Sequence, residues 1–291
     1  MSMMSCLFHP DPSQNAIVYL TRSSEGSLKQ LEASLGLLAR NLLPWSQADV
    51  IIFHEDDLDP SVLDGHTAGI PVRFAQVDFS AFPEEMKDLP KGKRGYRHMC
   101  HFFANDIFLR PELEKYQYVL RLDVDSSILS PLKFNVFDEM RTRGYRYGYR
   151  AILKDKRCFS KDLWPTAKAY FLKSESAVRP FSQIPEPCVY YTNFEIYEMA
   201  WFRGEAWQSF FKAVDQAKGI WKYRWGDHAI RFIGVKALLP EEKIWCAKQI
   251  HYFHQSEWRA GFEHRLPHDL FKYYWRLSRW LLKEKVKSFT T

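Results

Sequence analysis

The sequence predicts an α/β fold in which helices flank a central sheet within a single domain. Three observations carry that prediction. Short, uninterrupted apolar runs of strand length alternate with stretches whose leucines fall at helical spacing. The chain opens strand, helix, strand, which is how a parallel sheet begins. Its 291 residues, 46% of them hydrophobic, suffice for one large domain with a sizeable core.

Ala16–Leu20 is the first apolar run and reads as a buried strand. Ser27 with Gln30 reads as a capping box, after which Leu28, Leu31, Leu35, Leu38 and Leu42 line one face of a helix. Ala48–Phe53 is a second strand, ending in His54-Glu-Asp-Asp-Leu-Asp59, and Val72–Phe79 is a third. The Pro-, Lys- and Gly-rich segment from Ala81 to Gly95 reads as a loop. A helix from Arg97 to Leu109 follows, ended by Pro111. Tyr116–Leu122 is the clearest central strand, and it delivers Asp123-Val-Asp125 at its carboxyl end. Phe134–Arg143 reads as a helix closed by Gly144, and Tyr145–Ile152 as an aromatic strand. Lys154–Pro187, with its four prolines, is expected to be a long excursion holding short helices. Val189–Ile196 is a strand, Glu205–Lys218 a helix stopped by Gly219, and Asp227–Leu238 a helix stopped by Pro240. Ile244–Phe253 is the last strand, leading into His254. From His268 to Lys287 a terminal helix gathers Leu270, Tyr274, Leu277 and Leu281 on one face, a pattern for packing onto the domain or for membrane contact.

Charged residues make up 26% of the chain, ordinary for a globular protein, and the formal net charge is +6. Between Pro267 and Thr291 lie Lys272, Arg276, Arg279, Lys283, Lys285 and Lys287 against Asp269 and Glu284, so six bases less two acids place +4 in that tail. The remainder is nearly balanced apart from a short basic run, Lys91 to Arg97, which argues against a nucleic-acid surface. Aromatic residues reach 16%, with 22 Phe, 15 Tyr and 10 Trp, and suit either sugar-stacking faces or a core of large side chains. The five cysteines show neither CxxC nor zinc-finger spacing and leave the redox compartment open. No run of 18 apolar residues occurs, and Met1–Pro10 lacks the profile of a signal peptide, so the sequence as given is expected to be soluble, with its location unassigned.

Asp123 and Asp125 form the first candidate site. Two carboxylates at i and i+2, where a strand leaves an open α/β sheet, can hold a divalent cation on oxygen at the edge where ligands bind. Such a cation would neutralise a diphosphate leaving group. Asp57-Leu-Asp59 is a second triplet of the same kind, and solvated turn carboxylates are the alternative for both. His254 leaves the last strand with an imidazole that suits manganese or zinc, or a structural hydrogen bond. Glu195, in Asn193-Phe-Glu195, can stabilise or attack an oxocarbenium ion, or pair with an arginine. Asp227, in Trp225-Gly-Asp227, reads as a helix N-cap.

Taken in order, Tyr96-Arg-His-Met-Cys-His-Phe102, Pro111-x-Leu-x-x-Tyr116 and the strand into Asp123-Val-Asp125 resemble the fungal Golgi α-1,2-mannosyltransferases. So do Cys188-x-x-x-x-Asn193-Phe-Glu195, Phe202-Arg-x-Glu205, Arg224-Trp-Gly-Asp227 and Tyr252-x-His254. The resemblance runs through roughly residues 16–256. It implies a GT-A-like fold with a Rossmann-type mixed central sheet, GDP-mannose as donor, Mn²⁺ as cofactor, and retaining transfer to the 2-hydroxyl of an α-mannoside in a glycan or glycoconjugate. It further implies that Asp123 binds the metal directly, with Asp125 as second acid and His254 as imidazole ligand. Tyr96 would stand between donor carbon and acceptor hydroxyl as nucleophile or positioning group. Glu195 would be an active-site glutamate, Asp227 an acid near the acceptor, and Arg22 a residue facing the nucleotide.

The family's usual Glu-Pro-Asp is Asp123-Val-Asp125 here, one methylene shorter at the first acid, and its Pro-Pro after the histidine is Gln255-Ser256. The family is Golgi-lumenal, while the present sequence is expected to lack its membrane anchor and stem. The resulting division is an extension over 1–15, a catalytic domain over 16–266 and a basic amphipathic helix over 267–291 with possible peripheral membrane contact. Competing readings are a GT-A transferase using another sugar nucleotide, a metal phosphohydrolase or nuclease, and a non-catalytic sugar-binding or membrane-surface module.

Overall fold

Alternate residues of a strand point to opposite faces of a sheet, and β1 (Asn15–Thr21) buries both. Ala16 and Val18 enter one apolar core, Ile17 and Tyr19 another. The computed structural model describes residues 14–59, 61–62 and 65–254. Chain contacts divide the protein into a unit of residues 1–252 and a unit of residues 253–291, of which Phe253 and His254 are described.

Seven strands form the main sheet. Besides β1 these are β2 (Asp49–His54), β3 (Val72–Gln76), β4 (Tyr118–Leu122), β6 (Tyr147–Tyr149), β9 (Phe194–Glu198) and β10 (Ile244–Cys246), in the order β10-β6-β9-β4-β1-β2-β3. All run parallel except β9, which is antiparallel to both β4 and β6. The carboxyl ends of β1, β2 and β4 therefore share one edge with the entrance to β9. Two small ribbons complete the strands: β5 (Ser126–Ile128) beside β11 (Tyr252–His254), and β7 (Ile152–Lys154) beside β8 (Cys188–Tyr190).

Helices cover both faces. On one side lie α1 (Glu25–Asn41), through Leu28, Leu31, Leu35 and Leu38, and α3 (Val136–Arg143), through Val136, Phe137 and Met140. The other core takes α2 (Lys91–Ala104), α4 (Leu163–Ser174), α5 (Met199–Arg203), α6 (Glu205–Gln216), α7 (Gly219–Tyr223) and α8 (Asp227–Leu238). The aromatic content goes largely into this second core, where Phe102, Phe103, Phe108, Phe202, Trp207 and Phe210 are buried. Helix α8 approaches α6 so closely that a Cβ on Gly234 would come within 2.5 Å of Phe210.

Several elements depart from the sequence reading. The cap of α1 is Ser24, which accepts from the Ser27 amide, three residues before the expected Ser27. Helix α2 starts at Lys91, inside the expected loop, and stops at Ala104, with a 3-10 turn over Asp106–Leu109. Gly95 disguises that start, since glycine carries a weak helical signal. The excursion holds one helix of 12 residues, α4, with Pro165 in its first turn, where a proline is tolerated. Three runs expected as single strands each divide between two sheets: Tyr145–Ile152 into β6 and β7, Val189–Ile196 into β8 and β9, Ile244–Phe253 into β10 and β11. Apolar content reports burial, and it is silent on a change of pairing partner. Gly144 closes α3 as expected, with φ +64. The terminal helix over 267–291, the extension over 1–13 and residues 255–266 lie outside the described residues. Among described helices, none is long and apolar enough to cross a membrane.

Helix α2 is tied down by His101. Its Nδ1 is 2.8 Å from Asp106 and its Nε2 3.3 Å from Asp215 on α6, and the ring stacks on Trp221 of α7. Burial favours the neutral ring, but the two carboxylates outweigh it and raise the pKa from 6.5 to about 9. A pKa raised by folding stabilises the native state fully below the unfolded value and loses that effect as pH climbs through the folded value. Wild type is therefore expected to exceed His101→Gln in urea-unfolding stability by a constant margin below pH 6.5, shrinking up to about pH 9. A margin independent of pH would show that the imidazolium is not what binds α2 to α6.

Candidate active site

Strand β4 ends at Leu122, so Asp123 and Asp125 stand at the carboxyl edge of the sheet. The Asp123 amide donates to the Asn193 carbonyl at 3.3 Å, just ahead of β9. Behind that turn the Tyr252 hydroxyl donates to the same carbonyl at 2.9 Å and lies 2.7 Å from the Ser126 hydroxyl. Asp123, Asp125 and His254, each half-buried, offer one ligand atom apiece, all within 4.8 Å of one another. Two hard carboxylate oxygens and one imidazole nitrogen fit a divalent ion of the manganese type. Asp57 and Asp59 are used otherwise. Asp57 accepts from the Ser23 hydroxyl at 2.6 Å, linking the segment after β2 to the one after β1, and Asp59 accepts from the Ser61 amide at 2.9 Å within its own turn. They line a cleft of about 600 Å³ with His54, Asp56, Leu58, Phe74 and Gln76.

Beneath the edge lies a buried ionic cluster. Arg121, two residues before Asp123 and 2% exposed, reaches Asp123 through Nη2 at 3.2 Å, Glu195 through Nη1 at 3.1 Å and Asp227 through Nη1 at 2.5 Å. Glu195 stands directly opposite Arg121 across the β4–β9 pair and is fully buried. Its carboxylate also accepts from Arg231 at 3.1 Å, Tyr147 at 2.7 Å and Tyr197 at 2.6 Å. The Arg121 guanidinium lies 3.5 Å from the centroid of Phe103, and that of Arg231 is surrounded by Phe108, Tyr197, Phe202 and Trp207.

Burial works against the charge of Arg121, but Asp227 and Asp123 hold its pKa well above the ordinary value. Burial alone would raise the Asp227 carboxyl; the charges of Arg121 and His228 keep it below the usual carboxylate range. For Glu195, burial prevails over Arg231 and Arg121 and the carboxyl is pushed up. Asp227 is the first residue of α8, and its cap is Gly226, one residue earlier than the N-cap reading of Asp227 requires. Its side chain turns into the cluster instead of capping the helix.

Tyr96 projects from α2, half-buried. Burial, then Cys100 and the charge of Asp227, push its phenol well up, so it stays protonated at neutral pH. Arg22 follows β1 at the same sheet edge and is exposed; its charge bears on Glu55, whose carboxyl burial and Asp57 raise nonetheless.

The structure thus brings Asp123, Asp125 and His254 together, joins Asp123 to Glu195 and Asp227 through Arg121, and sets Tyr96 within electrostatic reach of Asp227. Sequence reasoning missed Arg121 and Arg231. A signal was present: each is a lone cation in an apolar run, Tyr118–Leu122 and Ala229–Val235, and such a residue is seldom fully buried without a partner.

A family model described as glycolipid 2-alpha-mannosyltransferase matches residues 82–270. Glycolipid 2-alpha-mannosyltransferase 1 of Candida albicans is 27% identical over 180 residues, covering 58% of this chain and 42% of that protein. O-glycoside alpha-1,2-mannosyltransferase omh1 of Schizosaccharomyces pombe is 24% identical over 181 residues, covering 59% and 46%. The chain thus spans less than half the length of these relatives. Among solved structures, core-mannan synthase A of Aspergillus fumigatus in its Mn/GDP form superposes with a TM-score of 0.75 at 22% identity, covering 84% of this chain and 76% of that one. Ktr4p of Saccharomyces cerevisiae in complex with GDP gives 0.72 at 20% identity, covering 83% and 71%. These likenesses show the GT-A-like fold.

Replacing Glu195 by Gln keeps its shape and removes the charge facing two buried guanidinium groups. The expected cost is about 3–5 kcal/mol in equilibrium unfolding, the usual penalty for breaking a buried ion pair. A loss under about 1 kcal/mol, as for an exposed pair, would show that the cluster does not depend on that charge.

Proposed function

This chain belongs to the glycolipid 2-alpha-mannosyltransferase family, and on that premise we propose that it moves mannose from GDP-mannose to the 2-hydroxyl of an α-mannoside acceptor with retention of configuration. The observation that carries the reading is the convergence of Asp123, Asp125 and His254 within 4.8 Å at the carboxyl edge of the sheet. These three residues would hold Mn²⁺, which when bound supplies positive charge to the departing diphosphate. Core-mannan synthase A was solved with Mn and GDP, which supports the same choice of ion and nucleotide for this chain.

The remaining roles follow from the surroundings of each residue. Arg22, exposed beyond β1, faces the nucleotide. Asp227 stays ionised beside Arg121, and at 2% exposure it serves the acceptor side of the site through its neighbours and does not touch the sugar. Glu195 is too deeply buried to meet a sugar; it fixes Arg121, and through it both Asp123 and Asp227. Tyr96, protonated at neutral pH, acts as a hydrogen-bonding positioning group between donor carbon and acceptor, since a nucleophilic phenolate would require a lowered pKa. Orientation of this kind accounts for a large share of the rate of a transfer between two bound sugars.

The basic segment 267–291 is proposed to touch an anionic membrane surface, by virtue of its +4 charge and the spacing of Leu270, Tyr274, Leu277 and Leu281 in the sequence. Co-sedimentation with phosphatidylserine vesicles should fall when its six bases are replaced by glutamine; unchanged sedimentation would remove the membrane role.

A panel of sugar nucleotides with Mn²⁺, read by nucleotide release with and without α-mannoside, tests the whole reading. GDP-mannose is expected to be the substrate and the α-mannoside to accelerate release. Asp123→Asn should abolish the Mn²⁺-dependent reaction and Asp57→Asn leave it intact, whereas Tyr96→Phe should keep nucleotide affinity and lose most turnover. Preference for another sugar nucleotide would exclude the mannosyl assignment while leaving the fold untouched.

A further inference from the structure

Arg224, which follows α7, has a left-handed backbone with φ +69 and ψ 37. A residue with a Cβ enters that region only at an energetic cost. The packing on either side explains why it is held there. Trp225, 1% exposed, donates its indole N–H to the Lys161 carbonyl at 2.6 Å. It lies so close to Gly219 that a Cβ on that glycine would sit 2.1 Å from the indole, and the Trp225 amide bonds the Gly219 carbonyl at 3.2 Å. One residue further, a Cβ on Gly226 would come within 2.0 Å of the His228 ring. Backbone strain persists where neighbouring contacts leave no alternative, and such places gather around functional sites.

From this backbone the Arg224 guanidinium reaches two aromatic rings. Its central carbon is 4.1 Å from the centroid of Tyr96 and 4.5 Å from the centroid of Phe159, which belongs to the 3-10 turn Arg157–Ser160. A planar guanidinium stacks on aromatic faces in a way an ammonium cannot reproduce, and the attraction to the ring is directional. Tyr96 stands on a helix, where its χ1 has a choice of rotamers, and the face-on cation selects among them.

We propose that Arg224 is a positioning residue for Tyr96, its guanidinium stacked on the phenol ring so that the ring keeps one orientation in the site. The inference rests on the role given to Tyr96 under the proposed function. It adds a requirement that role does not contain: the chain from Trp225 and Gly219 to Arg224 must be intact for Tyr96 to work.

The test is a double-mutant cycle on the full chain with GDP-mannose, Mn²⁺ and an α-mannoside, comparing wild type, Arg224→Met, Tyr96→Phe and the double variant. Arg224→Met is expected to lower kcat by about 10–100-fold, the scale of a misoriented group. KM for GDP-mannose should stay within about twofold, as it does when no ground-state contact is lost. Arg224→Lys should fall between, because it keeps the cation and loses the plane. The double variant should be no slower than Tyr96→Phe alone, since coupled residues are not additive. Losses that multiply independently would overturn the inference, as would a raised KM with kcat intact, which would make Arg224 a donor ligand. A wild-type rate for Tyr96→Phe would overturn the role of Tyr96 and this inference together, an outcome distinct from multiplying losses. Should Arg224→Met fail to fold, the cycle is run with Arg224→Lys, and the same criteria apply.

Discussion

The structure turns on one buried guanidinium. Arg121 sits in the middle strand of the sheet, where an isolated charge would cost several kcal/mol of desolvation. It is stable there because Asp123, Glu195 and Asp227 take up its donors and Phe103 covers its face. Charge-assisted hydrogen bonds of this kind are shorter and stronger than neutral ones. They also bind together parts of the chain that meet only in the folded state: the end of β4, the start of β9 and the first turn of α8. Arg231 repeats the arrangement one layer deeper, with Glu195 shared between the two cations and a wall of aromatic rings around it. The carboxylates at the sheet edge are thereby set by a rigid interior and not by the loops that carry them.

Much of this was legible from local pattern. Apolar runs located β1, β2 and β4 to within two residues, and leucine spacing located α1, because burial on a strand or along a helical stripe is written into consecutive side chains. Asp123, Asp125 and His254 could be named because each leaves a strand at the edge where such folds bind ligands, and the fold brings their ligand atoms together. Their partners were not legible. Glu195 lies inside β9, facing Arg121 and Arg231, and nothing local to its sequence marks which of the many arginines it pairs with. Ion pairing across 74 residues depends on topology, and hydrophobic periodicity does not encode it.

The division of three apolar runs between two sheets has the same cause. Tyr149 and Ile152 are close in sequence and both suit a strand, yet the first pairs with Glu195 and the second with Tyr190. The turn separating them redirects the chain without any polar interruption strong enough to mark a boundary. Aromatic richness is likewise ambiguous in sequence, and among the described residues much of it lies in the core that surrounds Arg231.

The reversed direction of β9 has a consequence for how the chain can vary. Glu195 and Tyr197 face one core while Phe194 and Ile196 face the other. An insertion of a single residue between Tyr190 and Asn193, if absorbed by sliding the strand, would exchange that parity. It would drive a carboxylate into the leucine-lined layer and leave two guanidinium groups facing phenylalanine. The loop that enters β9 is therefore held to its length.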